Sequence, residues 1–197
     1  MQQSITPQHE HEHHESMKVF GFWIFLMTDC ILFACLFATF AVLRTHTDSP
    51  FTGNELFEIP GFTAETFILL TSSFTSGLAT LAMNKGKVKP LIGWLAVTVL
   101  LGAAFIGLEI NEFMKMVSEG ATISTNAFLS SFYTLVSTHG LHVSVGIVWM
   151  IAIMIQLKKH GIQSVTKRKV QVMSLYWHFL DVVWIFLFTV VYLMGVM

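Results

Sequence analysis

The sequence predicts an all-α membrane protein, a bundle of five transmembrane helices, and three observations carry that prediction. Hydrophobic residues make up 54% of the chain and charged residues only 12%, against roughly 25% charged in a soluble domain. The charges crowd into short segments and leave five long apolar stretches between them. Each stretch reaches the roughly 20 residues that a helix, rising about 1.5 Å per residue, needs to cross the hydrocarbon core. Backbone groups in lipid must find partners within their own segment, so these stretches are helices rather than open strands. The net charge of -1 gives no reason to expect nucleic acid or a polyanionic partner.

Residues 1–17 form a polar tail rich in His and Glu (His9, Glu10, His11, Glu12, His13, His14, Glu15). It is too polar to fold alone, so it is expected to be disordered, with no fixed geometry for a metal. It carries no Lys or Arg, and the apolar run after it is too long for a signal peptide. Residues 18–197 form the membrane domain. The first span runs from about Lys18 to Leu43, the second from Thr63 to Met83 and the third from Leu91 to Met114. The fourth runs from Ala127 to Leu157, long enough to tilt or protrude, and the fifth from Val170 to Val196. Residues 45–62, with Pro50, Gly53, Pro60 and Gly61, read as a true loop packed on the outer face. Cys30 and Cys35 lie on different sides of the first helix, cannot bridge each other, and read as small packing residues.

Basic residues fix the expected orientation. Lys85, Lys87 and Lys89 lie between spans two and three; Lys158, Lys159, Lys167, Arg168 and Lys169 lie between spans four and five. Lys18 precedes span one, and the remaining exits are mostly acidic. The positive-inside bias then puts the N-terminus in the cytoplasm and the C-terminus outside.

The informative residues are ionisable groups inside spans: Asp29 in span one, Glu109 and Glu112 in span three, His139 and His142 in span four, His178 and Asp181 in span five. A charge at mid-membrane costs about 2.5–3.5 kcal/mol on insertion scales, so these groups should face the bundle interior or a partner. Glu109 and Glu112, His139 and His142, and His178 and Asp181 are each three apart, a spacing that shares a helix face. The expectation is a structural polar network of these six residues that joins helices where lipid gives no hydrophobic preference. A metal site is the sharper alternative. Di-iron bundles, however, use Glu-x-x-His twice, and this chain has Glu-x-x-Glu, His-x-x-His and His-x-x-Asp. No metal ligand set and no catalytic residue is therefore assigned. A bis-histidine haem fails because His139 and His142 share one helix. Asp29 has no ionisable neighbour on its own helix face, so it is either a proton-linked carboxylate or an acid hydrogen-bonded to another helix. Aromatics such as Phe20, Phe22, Trp23 and Phe25, and Tyr176, Trp177, Phe179 and Trp184, read as packing residues or interfacial anchors. Ser130, Ser131, Ser137, Ser144, Gly140 and Gly146 give span four small faces for close helix contact. A small transporter would fit better with discontinuous helices, which the pattern lacks.

Longer motifs carry a family resemblance. Ser137-Thr-His-Gly-Leu-His-Val-Ser-Val-Gly146 resembles the fourth-span signature of haem–copper oxidase subunit III. Tyr176-Trp-His-Phe-Leu-Asp-Val-Val-Trp-Ile-Phe186 resembles its last-span signature. Gly21-Phe-Trp-Ile-Phe-Leu-Met-Thr-Asp-Cys-Ile-Leu-Phe33 and Phe105-Ile-Gly-Leu-Glu-Ile-Asn-Glu-Phe113 match as well. The five-span form, with its ending Val-Tyr-Leu-Met-Gly-Val-Met, is similar to the quinol oxidases of the cytochrome bo type. The resemblance implies an accessory subunit of a proton-pumping quinol:oxygen oxidoreductase in the bacterial cell membrane. It implies no redox centre in this chain, with haems and copper in subunit I, subunits II and IV in the same complex, and bound phospholipid. Asp29 falls where many members carry a mid-span glutamate, one methylene longer. The alternative from another class is a free-standing membrane metalloprotein that uses the Glu/His cluster.

Overall fold

The computed structural model describes residues 7–44, 59–118 and 120–193. Side chains are described for residue 17 and for 19–43, 61–118 and 120–191. Five helices follow in order: α1 Pro7–Arg44, α2 Ile59–Asn84, α3 Val88–Ser118, α4 Ala127–His160 and α5 Ser164–Leu187. A π-helical turn, Phe188–Leu193, continues α5. All five contain a stretch long and apolar enough to cross a membrane, and no strand occurs among the described residues.

Two boundaries differ from expectation for the same reason. α1 begins at Pro7, so the helix takes in part of the polar segment expected to be unstructured. α2 begins at Ile59, so Pro60 and Gly61 belong to its first turn rather than to the preceding loop. A proline in the first turn loses no helical hydrogen bond, because the N–H it lacks has no partner there anyway. The rest of that loop, including Pro50, Gly53 and its expected outer packing, lies outside the described residues, as do residues 194–197.

The connections are short and chemically explicit. Gly86, at φ 69°, turns α2 into α3, and Gly161, at φ 67°, ends α4 with its N–H on the Leu157 carbonyl (2.9 Å). Both have a positive φ, which only glycine takes cheaply. Asn126 caps α4, its side-chain oxygen accepting from the Leu129 N–H at 2.7 Å.

α2, α3, α4 and α5 form a ring of neighbours, and α1 packs outside it on α4 and α5. Each pair around the ring is antiparallel, as are α1 and α4, while α1 and α5 run parallel. Phe22 meets Trp149 and Phe40 meets Phe128 across α1 and α4. The turns between α2 and α3 and between α4 and α5 therefore lie at one end of the bundle, with the start of the α1 span. That end holds Lys85, Lys87, Lys89, Lys158, Lys159, Lys167, Arg168 and Lys169.

The seam between α2 and α5 is a ladder of hydroxyls. Trp177 donates its indole N–H to Ser72 Oγ (3.0 Å), and Trp184 donates to Thr66 Oγ1 (3.1 Å). Ser76 pairs with Ser174 at 3.3 Å, and Thr75 meets Thr98 of α3 at 2.8 Å. Lipid gives helices little hydrophobic reason to associate, so such bonds and close packing decide which faces meet. The exterior is correspondingly apolar: Phe20, Phe74, Leu100, Leu141 and Val148 all point outward. Cys30 and Cys35 are also exposed and unbridged, so they do not pack within this chain as expected.

Candidate functional site

The polar groups inside the bundle fall into two groups, with the remaining residues apart. The first lies in the seam of α1 and α4. α1 buries the narrow stripe Leu26, Asp29, Phe33 and Phe40, at helical spacing. Asp29 stands on that stripe between two apolar residues and so faces α4. There its Oδ1 lies 3.8 Å from Nε2 of His142. Nδ1 of His142 lies 2.7 Å from the Thr138 carbonyl. A carbonyl only accepts, so Nδ1 carries the proton of that bond and Nε2 is left to face the acid. A gap of 3.8 Å is an ion-pair distance rather than a hydrogen-bond length. Tyr176 of α5 donates its hydroxyl to the His142 carbonyl at 3.1 Å, which ties a third helix to the pair. Of the two states expected for Asp29, both retain a place here, because its partner is on another helix and is itself a proton-binding group.

The second group lies toward the acidic end of the bundle, between α2, α3 and α4. Glu109 is buried, and its carboxylate rests against Gly140 of α4. A Cβ at Gly140 would stand 2.5 Å and 2.7 Å from the two carboxylate oxygens, so any larger residue there would force Glu109 to shift. Glu112 reaches Gly61 in the first turn of α2, where a Cβ would also collide with it. Its carboxylate therefore sits at a helix N-terminus, the end whose dipole favours negative charge.

The third acid of this group, Glu65, is almost completely buried (1% exposed) and lies within electrostatic reach of Glu112 and Glu109. Sequence reasoning missed it, because it stands so close to the loop that it reads as part of the span's polar entrance. The signal was present: Glu65, Leu69, Ser72, Ser76 and Ala79 recur at helical spacing, and all are buried.

The remaining residues separate. His139 is fully buried in a box of rings, 5.2 Å from Trp184, 6.0 Å from Phe105 and 6.3 Å from Phe33. Neither of its ring nitrogens has a hydrogen-bond partner among the described residues. Asp181 is buried on α5, beside Ser73 of α2, with neither oxygen in full hydrogen-bond geometry among the described residues. His178, three residues earlier, is exposed on the outside of the bundle, with Nδ1 2.6 Å from Ser73 Oγ of α2. The expected pairs at three-residue spacing thus diverge in span five and in span four, where His142 turns to Asp29 and His139 to the aromatic box. Among the described residues, no three His, Cys, Asp or Glu side chains converge in a way that could hold a metal ion.

Residues 1–196 match the family described as cytochrome c oxidase subunit III. The chain belongs to that family. It is 55% identical over 190 residues to cytochrome bo(3) ubiquinol oxidase subunit 3 of Pseudomonas aeruginosa, covering 95% of this chain and 91% of the relative. It is 52% identical over 179 residues to quinol oxidase subunit 3 of Bacillus subtilis, covering 91% and 88%. It is 49% identical over 178 residues to cytochrome c oxidase subunit 3 of Bacillus sp. strain PS3, covering 90% and 86%. The resemblance carried by Ser137–Gly146 and Tyr176–Phe186 therefore holds over nearly the whole chain. This subunit III is a multi-pass membrane protein of the haem–copper respiratory oxidases, and it works in company with other oxidase subunits. The reading as a free-standing membrane metalloprotein is not favoured.

Proposed function

We propose that this subunit III serves a proton-pumping quinol:oxygen oxidoreductase, as an accessory subunit that holds the catalytic subunit I in its working form. The observation that carries the reading is near full-length similarity to subunits named for quinol oxidases, at 55% and 52% identity. The five-span architecture supports it. So does the use of the internal polar groups, which sit in helix–helix seams.

In this reading subunit I holds the haems and copper, and subunits II and IV complete the complex. Phospholipid covers part of the apolar exterior. The basic end, with the N-terminus and the polar segment 1–17, is cytoplasmic, and the C-terminus is outside. Asp29 acts as a protonatable carboxylate near the subunit I interface, with His142 as its base. Glu109, Glu112, His139, His142, His178 and Asp181, joined by Glu65, are the structural polar set.

The test is gentle purification through a tag on this chain from its own membranes. Haem absorbance and quinol-driven oxygen uptake arriving with a large partner chain are the expected result. A chain that arrives without haem or partner subunits overturns the reading.

A further inference from the structure

His178 is polar in a place where a polar group needs a reason. The apolar stretches of α2 and α5 run over Gly61–Asn84 and Ser164–Val191. Ser73 and His178 stand at their midpoints, so the pair lies half-way through a hydrocarbon layer about 30 Å thick. His178 is exposed there, and its neighbours on the same outward strip are Leu70, Phe74, Val182 and Ile185, all exposed and apolar. Nδ1 is engaged by the Ser73 hydroxyl at 2.6 Å. No hydrogen bond is formed by Nε2 among the described residues. Whichever ring nitrogen carries the proton, Nε2 presents either a donor or a lone pair to the outside.

Acyl chains carry no group that could answer it, and lipid headgroups lie half a bilayer away. Intramembrane ionisable residues turn toward protein or a cavity for this reason. We infer that the α2–α5 face centred on Ser73 and His178 is a docking surface for a transmembrane helix of another oxidase subunit. That helix presents a hydroxyl, amide or carboxyl side chain to His178 Nε2 at mid-membrane. The apolar strip above and below supplies the packing, and the single polar contact fixes the register at which the helices meet. The inference rests on the reading of the chain as a subunit of an oxidase complex, and it adds which face is used and by what chemistry.

The experiment uses the intact complex with His178 in place. A photo-crosslinking residue is introduced at Val182, and in a second variant at Phe74, and the adducts are identified by mass spectrometry. Adducts with a transmembrane segment of another oxidase subunit are expected from both. Adducts with lipid or quinone only, or with a second copy of this chain, overturn the inference.

In parallel, retention of the contacted subunit is followed through a detergent series for His178→Leu and His178→Gln. His178→Leu should lower the association about three- to twentyfold, the range spanned by interhelical hydrogen bonds in membranes. His178→Gln, which keeps a donor and an acceptor, should recover most of it. Equal retention in all three proteins also overturns the inference. If the tagged chain brings no haem or partner subunits, the reading as an oxidase subunit fails. An intact complex with only lipid adducts sinks the docking surface alone.

Discussion

Asp29 and the Glu65–Glu109–Glu112 group show two ways of keeping acids inside a membrane. Asp29 is matched to a base on the neighbouring helix, with a gap of 3.8 Å and a histidine whose other nitrogen is already committed. The glutamates lie within electrostatic reach of one another, and room is made for them by the backbone. Gly140 and Gly61 leave the space that the carboxylates of Glu109 and Glu112 occupy. The first arrangement is chemical complementarity and survives small shifts in distance. The second is steric accommodation and depends on the absence of a single carbon atom. The pair should therefore be tolerant to conservative change, and the cluster brittle.

The largest effect is expected at Gly140. Gly140→Ala places a Cβ against the buried Glu109 carboxylate, which must shift within the packed interior, an overpacking cost of about 1–3 kcal/mol. Yield of the intact complex should fall sharply, and Glu109→Ala in the same chain should restore part of it. A normal yield from the single variant would show that Glu109 moves freely.

His142→Leu comes next. It strands Asp29 in an apolar seam, a loss of about 1–3 kcal/mol for an unanswered buried group, and assembly should suffer. Asp29→Ala removes the acid and leaves His142 bonded to the Thr138 carbonyl, so assembly should be largely kept while the oxidase inactivates faster in sustained turnover. Equal assembly defects in the two variants would show that the pair is not asymmetric in this way.

A smaller effect is expected at Gly61→Ala. Glu112 is only partly buried and long, so its carboxylate can swing aside. Thermal stability of the complex should drop measurably less than for Gly140→Ala; an equal drop would place Glu112 as firmly as Glu109. Tyr176→Phe is the mildest case. It removes one hydrogen bond to the His142 carbonyl, worth about 0.5–1.5 kcal/mol, and should lower the melting temperature slightly. No shift at all would mean that α5 does not help to hold the pair.

The five spans were legible because lipid imposes a length and forbids unpaired backbone, and both constraints are written in composition. The facing of individual side chains was less so. Residues three apart on a helix differ by about 60° around its axis. A pair placed at the edge of a buried face therefore splits, as His178 and Asp181 do, one outside and one inside. The partner of Asp29 could not be read from α1, since it is supplied by a helix far along the chain. Glu65 was recoverable from helical spacing with Ser72 and Ser76, and was hidden only by its nearness to a loop.

The position of α1 has a consequence for biosynthesis. It leaves the ribosome before α2, α3, α4 and α5, yet it packs on α4 and α5 rather than on its successor in the chain. α2, α3, α4 and α5 can each meet a sequence neighbour as they emerge. α1 must linger in the bilayer, or with the insertion machinery, while three more helices are made. During that interval Asp29 has no histidine beside it, so the acid crosses alone. α1 is thus fastened only once α4 and α5 have been made, and the Asp29–His142 contact marks that stage of synthesis.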